Sequence, residues 1–280
     1  MNTKIVVNYI NNKEMLKEIH RSKNSFCEYI SPEYKDYDII FTSKEDCLKQ
    51  ENINAAILKR AERLTQVQID EYALRTNTSS KKAKASITQV DPATINKHDV
   101  VFRVITYEHI PEDHDRKKTK KSIKDYHVKL NFTPFKHFII DENNNLVEVG
   151  RSHSKKGEFC LTGGSISDRL AKMFMLLIDK FGQKSNWRGY SYLDEMKGQA
   201  LLQLASMGLQ FDEHLSDNPF AYYTSSINNS FTRVFNIEKR NQIIRDDLLQ
   251  NMGQNPSLTR QLEHDEQIRL LRELNDSKDD

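Results

Sequence analysis

Between Leu170 and Phe181 the apolar residues Leu170, Met173, Phe174, Leu177, Ile178 and Phe181 fall at i, i+3, i+4, i+7, i+8 and i+11. At 3.6 residues per turn an α-helix places all six on one face, and that face must be buried against something. Ser165 or Ser167 supplies the oxygen that would cap the helix start. A second helix is expected from about Ser191, burying Leu193, Met196, Ala200, Leu201 and Leu204. A third opens at Asp217-Asn218-Pro219, a cap with proline just inside the start, and buries Tyr223, Ile227, Phe231 and Val234. Gly253 and Pro256 stop it. Three amphipathic segments in succession make a helical bundle the expected core of residues 161–252.

The remainder reads differently. Residues 1–24 form a polar lead-in with a short helix through Met15, Leu16 and Ile19. Residues 25–98 are mixed: Ile57, Leu58, Ala61, Leu64 and Val67 repeat at helical spacing, and 76–98 reads as a linker rich in Thr, Asn, Ser and Lys. Residues 99–160 switch to strand signals. Val100, Phe102 and Val104 suggest a buried strand, and two apolar runs around Asp141-Glu142-Asn143-Asn144-Asn145 suggest a β-hairpin. Residues 253–280 form an acidic tail with a short amphipathic helix at Ile268, Leu270, Leu271 and Leu274. The expected fold is therefore mainly α, with a small α+β insertion.

Gly (9) and Pro (6) are scarce in 280 residues, and neither G-x-x-x-x-G-K-[ST] nor G-x-G-x-x-G occurs, so a glycine-built nucleotide cradle is not expected. Cys27, Cys47 and Cys160 are isolated, which suits a reducing compartment and gives no zinc site or other cofactor. The longest apolar run, Met173 to Ile178, is far short of the ~20 residues that span a bilayer. The polar start at Asn2 and Thr3 is unlike a secretory signal. A membrane or secreted protein is not expected.

Two chemistries remain to be weighed. His109, His114, His127 and His137 lie among Glu108, Glu112, Asp113 and Asp115, which raises a small metal-dependent nuclease. Neither H-E-x-x-H nor a Cys/His finger spacing is present, and a surface loop accounts for the same residues. No catalytic residue is identified. Nucleic-acid binding is the alternative. The run Arg116-Lys117-Lys118-Thr119-Lys120-Lys121 is either a solvated loop or a set of phosphate contacts. The third helix carries Asn229, Thr232 and Arg233, followed by Lys239, Arg240 and Arg245. These amide, hydroxyl and guanidinium groups bond base edges and phosphates. Tyr222 and Tyr223 offer rings on which unpaired bases could stack.

The stretch Leu170 to Arg245 resembles region 2 of the bacterial sigma factors. The likeness runs through Leu-x-x-x-Phe-x-x-Leu-Ile-x-x-Phe, Tyr192-Leu193-Asp194-Glu195-Met196, Phe211-Asp212-Glu213, Phe220-Ala221-Tyr222 and Ile227-x-x-x-Phe231-Thr232-Arg233. The variants Ser185-Asn186-Trp187-Arg188-Gly189-Tyr190 and Asn218-Pro219-Phe220-Ala221-Tyr222, with Tyr9-Ile10-Asn11-Asn12 near the start, are similar to the late-transcription sigma factors of T-even-like bacteriophages. The likeness covers about a third of the chain.

That resemblance implies a non-catalytic subunit of the host cytoplasm, associated with the nucleoid. It would join host RNA polymerase core and direct it to late viral promoters. Leu193, Asp194, Glu195, Met196 and Lys197 would dock on a coiled coil of the largest polymerase subunit. Lys197-Gly198 stands where the family usually carries Gln-Glu. Asn229 and Thr232, with one residue gapped, would read bases of an AT-rich minus-ten-like element. The aromatic pair that wedges promoters open in the family falls on Ser225 and Ser226, which leaves that task to Tyr222 and Tyr223. No second DNA-reading domain follows residue 250, so help is expected from a phage sliding clamp and co-activator. Ile268, Leu271 and Leu274 are the candidate clamp peptide. A polymerase-binding adaptor that never reads DNA is the remaining alternative.

Overall fold

The computed structural model describes residues 11–114 and 126–276. The basic run at 116–121, Asp115 and the opening Tyr9-Ile10 lie outside them. The described elements are α1 (Asn12–Asn24), β1 (Cys27–Tyr29), β2 (Ile39–Phe41), α2 (Gln50–Thr76), α3 (Ser80–Ser86), β3 (Phe102–Ile105), β4 (Phe135–Ile140), β5 (Leu146–Ser152), β6 (Ser154–Lys155) and β7 (Glu158–Phe159). They continue as α4 (Asp168–Gly182), α5 (Leu193–Met207), α6 (Pro219–Asn251) and α7 (Leu258–Asp276). The protein is thus mainly helical with a small mixed sheet. No described helix is long and apolar enough to cross a membrane. The chain divides into two compact units, residues 1–177 with 205–223, and residues 178–204 with 224–280.

The first unit is built on a five-stranded sheet in the order β1-β5-β4-β3-β2, antiparallel except for the parallel β2–β3 pair. The expected hairpin is present. Its turn is closed by Asp141, whose carboxylate accepts the Asn145 amide at 2.7 Å, and Asn144 takes the left-handed conformation at φ 60°. Side chains alternate across a strand. Phe102, Val104, Phe138 and Ile140 therefore point to one face, where Cys47 and the α2 residues Ile53 and Ala56 cover them. Arg103 and His137 point to the other. The Asp38 carboxylate joins α2 to the sheet: it is fully buried, takes Arg63 at 2.7 and 2.9 Å, and accepts the Val101 amide at 2.9 Å.

Three expectations are corrected here. The sheet is not confined to 99–160, because residues 25–48 supply both edge strands, and at three residues each those strands carry too little pattern to be seen. Residues 76–98 are not a free linker: α3 buries Ala83, and the Val90 amide donates to Thr65 Oγ1 at 3.0 Å. The buried face of α2 is Ile53, Ala56, Ala61, Thr65 and Ile69, while Leu58 and Val67 are exposed. Two isoleucines with three small residues between them form the packed face, and Leu58 and Val67 fall off it.

In the second unit the C-terminal end of α4, the first turns of α5 and most of α6 bury Ile178, Phe181, Met196, Ala200, Leu204, Ile227, Phe231 and Val234. Phe181 meets Phe231 edge-on at 5.4 Å. Leu201, expected inside, is exposed because Met196, Ala200 and Leu204 already set the inward stripe at four-residue spacing. α6 ends in a glycine cap. Gly253 sits at φ 71°, and the Gln254 amide reaches back to the Leu249 carbonyl at 2.8 Å, the paired bonding of a left-handed helix stop.

Candidate nucleic-acid interface

α6 opens as its sequence requires. Pro219 occupies the first helical position, and the Asn218 side chain accepts the Ala221 amide at 3.1 Å, closing one of the helix's open donors. Every third or fourth residue is then apolar, which fixes the inward face at Tyr223, Ile227, Phe231 and Val234. The opposite face is left to solvent. On it Asn229, Thr232, Arg233, Asn236, Ile237 and Arg240 line one shallow, open depression. This brings together three residues expected to contact DNA, Asn229, Thr232 and Arg233, with Arg240 two turns on. Lys239 is exposed on the flank, its ammonium 6.0 Å from the centre of the Phe235 ring.

Tyr222 and Tyr223 part company. Tyr223 is fully buried, its hydroxyl donates to the Gly208 carbonyl at 2.5 Å, and its ring meets Phe174 at 4.8 Å. The expectation that it stacks on a base is corrected: neither ring face is open. Adjacent helical residues lie 100° apart, so Tyr222 emerges half-buried, its ring 5.5 Å from Phe211. Ser225 is exposed and Ser226 buried.

The residues expected to dock on polymerase also divide. Asp194 and Glu195 occupy the first turn of α5, where the helix dipole favours carboxylates, and both are exposed. Leu193 is half-buried. Met196 is buried and belongs to the core, which corrects its place in the docking set. Lys197 is bound to Asp179 at 3.1 Å and lies 3.9 Å from Asp194. A Cβ at Gly198 would meet nothing within 4 Å. In α7, Ile268 is half-buried and Leu271 exposed, and the Leu274 side chain lies outside what is described. The start of α7 is fixed by Asp246, which accepts the Ser257 amide at 2.9 Å and its hydroxyl at 2.7 Å. These two bonds hold its carboxyl below the usual range.

The histidines grouped in the sequence do not converge. His137 Nδ1 donates to the Tyr34 carbonyl at 2.7 Å, and its Nε2 accepts from Arg103 Nε at 3.0 Å. Burial, then the guanidinium beside it, pushes its pKa well down. His109 Nε2 meets the Ser152 carbonyl at 3.0 Å, and burial lowers its pKa to about 4. His127 lies against Tyr107, and His114 is exposed. Among the described residues no three His, Cys, Asp or Glu side chains gather as a metal site would require.

Sequence reasoning missed two groups. One is the buried Arg103 guanidinium, held between the rings of Tyr37 and Phe135, each 3.8 Å away, and 3.3 Å from His20 Nδ1. A lone cation inside a strand was the available signal. The other is a row of aromatic rings between α4 and α5. No family model matches this chain, and no curated protein or solved structure matches it.

Proposed function

We propose that this chain is a phage-encoded sigma-type subunit that binds host RNA polymerase core and directs it to late viral promoters. The resemblance of Leu170–Arg245 to sigma region 2 is the starting point. The observation that carries the reading is the exposed face of α6, where Asn229, Thr232, Arg233 and Arg240 line one open depression on a rigid helix. Asparagine makes paired hydrogen bonds to adenine, threonine offers a hydroxyl and a methyl, and the arginines hold phosphates. In this reading the exposed Asp194 and Glu195 face basic groups of the largest polymerase subunit, and the protein itself catalyses nothing.

Co-elution of the full chain with polymerase core, followed by promoter footprinting, tests the proposal. Asp194→Lys with Glu195→Lys should abolish co-elution and leave helicity unchanged. Asn229→Ala should relax discrimination at one base pair by about 1–3 kcal/mol, whereas Arg240→Ala should weaken all sequences alike and flatten the salt dependence. Unchanged co-elution of the double variant would remove the start of α5 from the interface. A footprint that is the same with and without this chain would leave an adaptor that does not read DNA.

A further inference from the structure

The segment from Lys184 to Tyr192, between α4 and α5, puts three aromatic rings into nine residues together with two basic side chains. The structure gathers those rings against one flank of α6. Trp187 meets the buried Phe231 at 5.5 Å and Phe235 at 6.5 Å. Tyr190 meets Phe235 at 5.4 Å and Tyr192 at 5.2 Å. The row therefore leads from the core to the surface: Phe231 is sealed, Trp187, Phe235 and Tyr192 are half-buried, and Tyr190 is exposed. Gly189, at φ 106°, makes the turn that sets Trp187 and Tyr190 on the same flank; an L-residue would strain there.

Packing alone does not account for this arrangement. A tyrosine and a tryptophan left partly open on a loop cost solvation of apolar surface, and on the Trp187–Phe235 side they are flanked by cations, while Asp194 and Glu195 follow Tyr192 at the start of α5. Arg188 adjoins Trp187 in sequence, Lys239 lies over Phe235, and Arg240 follows on the polar face of α6. Among the described residues none of these three cations is bound to a carboxylate. Phe235 and Lys239 are one helical turn apart and border Thr232, so the rings adjoin the depression lined by Asn229, Thr232 and Arg233.

We infer that Trp187, Tyr190, Tyr192 and Phe235 form a stacking platform for unpaired bases of single-stranded DNA, with Arg188, Lys239 and Arg240 holding its phosphates. π-faces stack on every base with little regard to sequence, and flanking cations follow the backbone. The inference deepens the reading given above, and rests on it for the expectation that the bound DNA is opened. It also supplies a ring surface where burial has withdrawn Tyr223. Glu238 lies near Tyr192 and opposes an approaching phosphate.

Trp187 is the only tryptophan in the chain, so its fluorescence reports on the platform directly. The full chain is titrated with a 15-nucleotide oligothymidylate, with a blunt 15-base-pair duplex, and with polyglutamate. The oligothymidylate should quench Trp187 to saturation, the duplex should bind without comparable quenching, and polyglutamate should do neither. Tyr190→Ala should weaken oligothymidylate binding by about 5- to 150-fold, the range of one lost base stack. Tyr190→Leu, which keeps apolar cover over Phe235, should weaken it similarly. Lys239→Ala should flatten the salt dependence, and Glu238→Gln should tighten binding.

Quenching by polyglutamate or equally by duplex would overturn the inference in favour of a general acidic-ligand surface. So would oligothymidylate binding that ignores both Tyr190 variants. No polymerase is present in this titration, so it separates the two readings. Binding here without polymerase co-elution would defeat the sigma proposal and leave the platform; co-elution without quenching would do the reverse.

Discussion

Lys23 is the most informative single residue to remove from the first unit. Its side chain is 3% exposed and its ammonium donates to the Phe211 carbonyl at 2.7 Å and to the Glu213 carboxylate at 2.5 Å. Burial pushes the Glu213 carboxyl up, but the Lys23 ammonium and then the Arg103 guanidinium outweigh it and hold it below its usual range. Glu213 Oε1 already has no hydrogen-bond donor. In Lys23→Met the methionine keeps most of the aliphatic packing, yet Glu213 loses its donor and counter-charge, and the Phe211 carbonyl loses its donor. Breaking one side of a buried pair costs about 3–5 kcal/mol, a large part of a typical 5–15 kcal/mol stability. Adding Glu213→Leu removes the stranded charge, so the double variant should recover to within about 2 kcal/mol of the parent. Urea unfolding followed by far-ultraviolet circular dichroism measures all four corners of the cycle. A single variant costing under about 1 kcal/mol, or a double variant no better than the single, would refute the assignment of Lys23 and Glu213 as a mutually dependent pair.

Three further outcomes are expected. His153 is fully buried, and burial first, then the charges of His109 and Lys23, bring its pKa to about 4; the native state therefore binds fewer protons than the unfolded chain, and stability present above pH 6.5 is lost as pH falls. Between pH 7.5 and 5.5 the loss is about 1.4 kcal/mol from His153 and about half that from the more solvent-screened His109, measured by urea unfolding at each pH. His153→Asn, which tolerates the φ of 53° at this position, should flatten the dependence, and an unchanged slope would clear His153. Gly198→Ala, inside α5 with open space at its Cβ, should raise stability by about 0.5–1 kcal/mol, seen as a higher urea midpoint; destabilisation would mean a close neighbour at that position. If the proposed function holds and a sliding clamp is the partner of the tail, deleting residues 261–280 should leave basal initiation intact and remove stimulation by the clamp, scored in a transcription assay with and without clamp; full response without the tail would make it an appendage.

The helices were legible because their periodicity is long and unbroken. Leu170 to Phe181 and Tyr223 to Val234 each supply enough turns to fix a face, and the same spacing that buries Tyr223 was already in conflict with using its ring for DNA. The hairpin was legible through its run of Asp and Asn. The edge strands were not, since Cys27–Tyr29 and Ile39–Phe41 are too short for alternation to register. The surface-loop reading of the histidines is corrected for His137, which lies on β4 and is fully buried, and for His109, which is half-buried; sequence neighbours on a strand alternate faces and partners. Of the candidate interface, the polar face of α6 was visible in Asn229, Thr232 and Arg233. The platform was not, because ring contacts between Trp187 and Phe235 join residues 48 positions apart.

The bond between Lys23 and Glu213 spans 190 positions, and β1 waits for β5, more than 120 residues downstream. At about 5–20 residues per second of synthesis, α1 leaves the ribosome roughly 10–40 s before its partner exists. The first unit therefore matures only after residues 178–204 of the second have been made, and its N-terminal part carries the Lys23 side chain and an unpaired β1 edge through that interval. Premature stops anywhere before residue 213 should yield aggregated product, not a smaller folded domain.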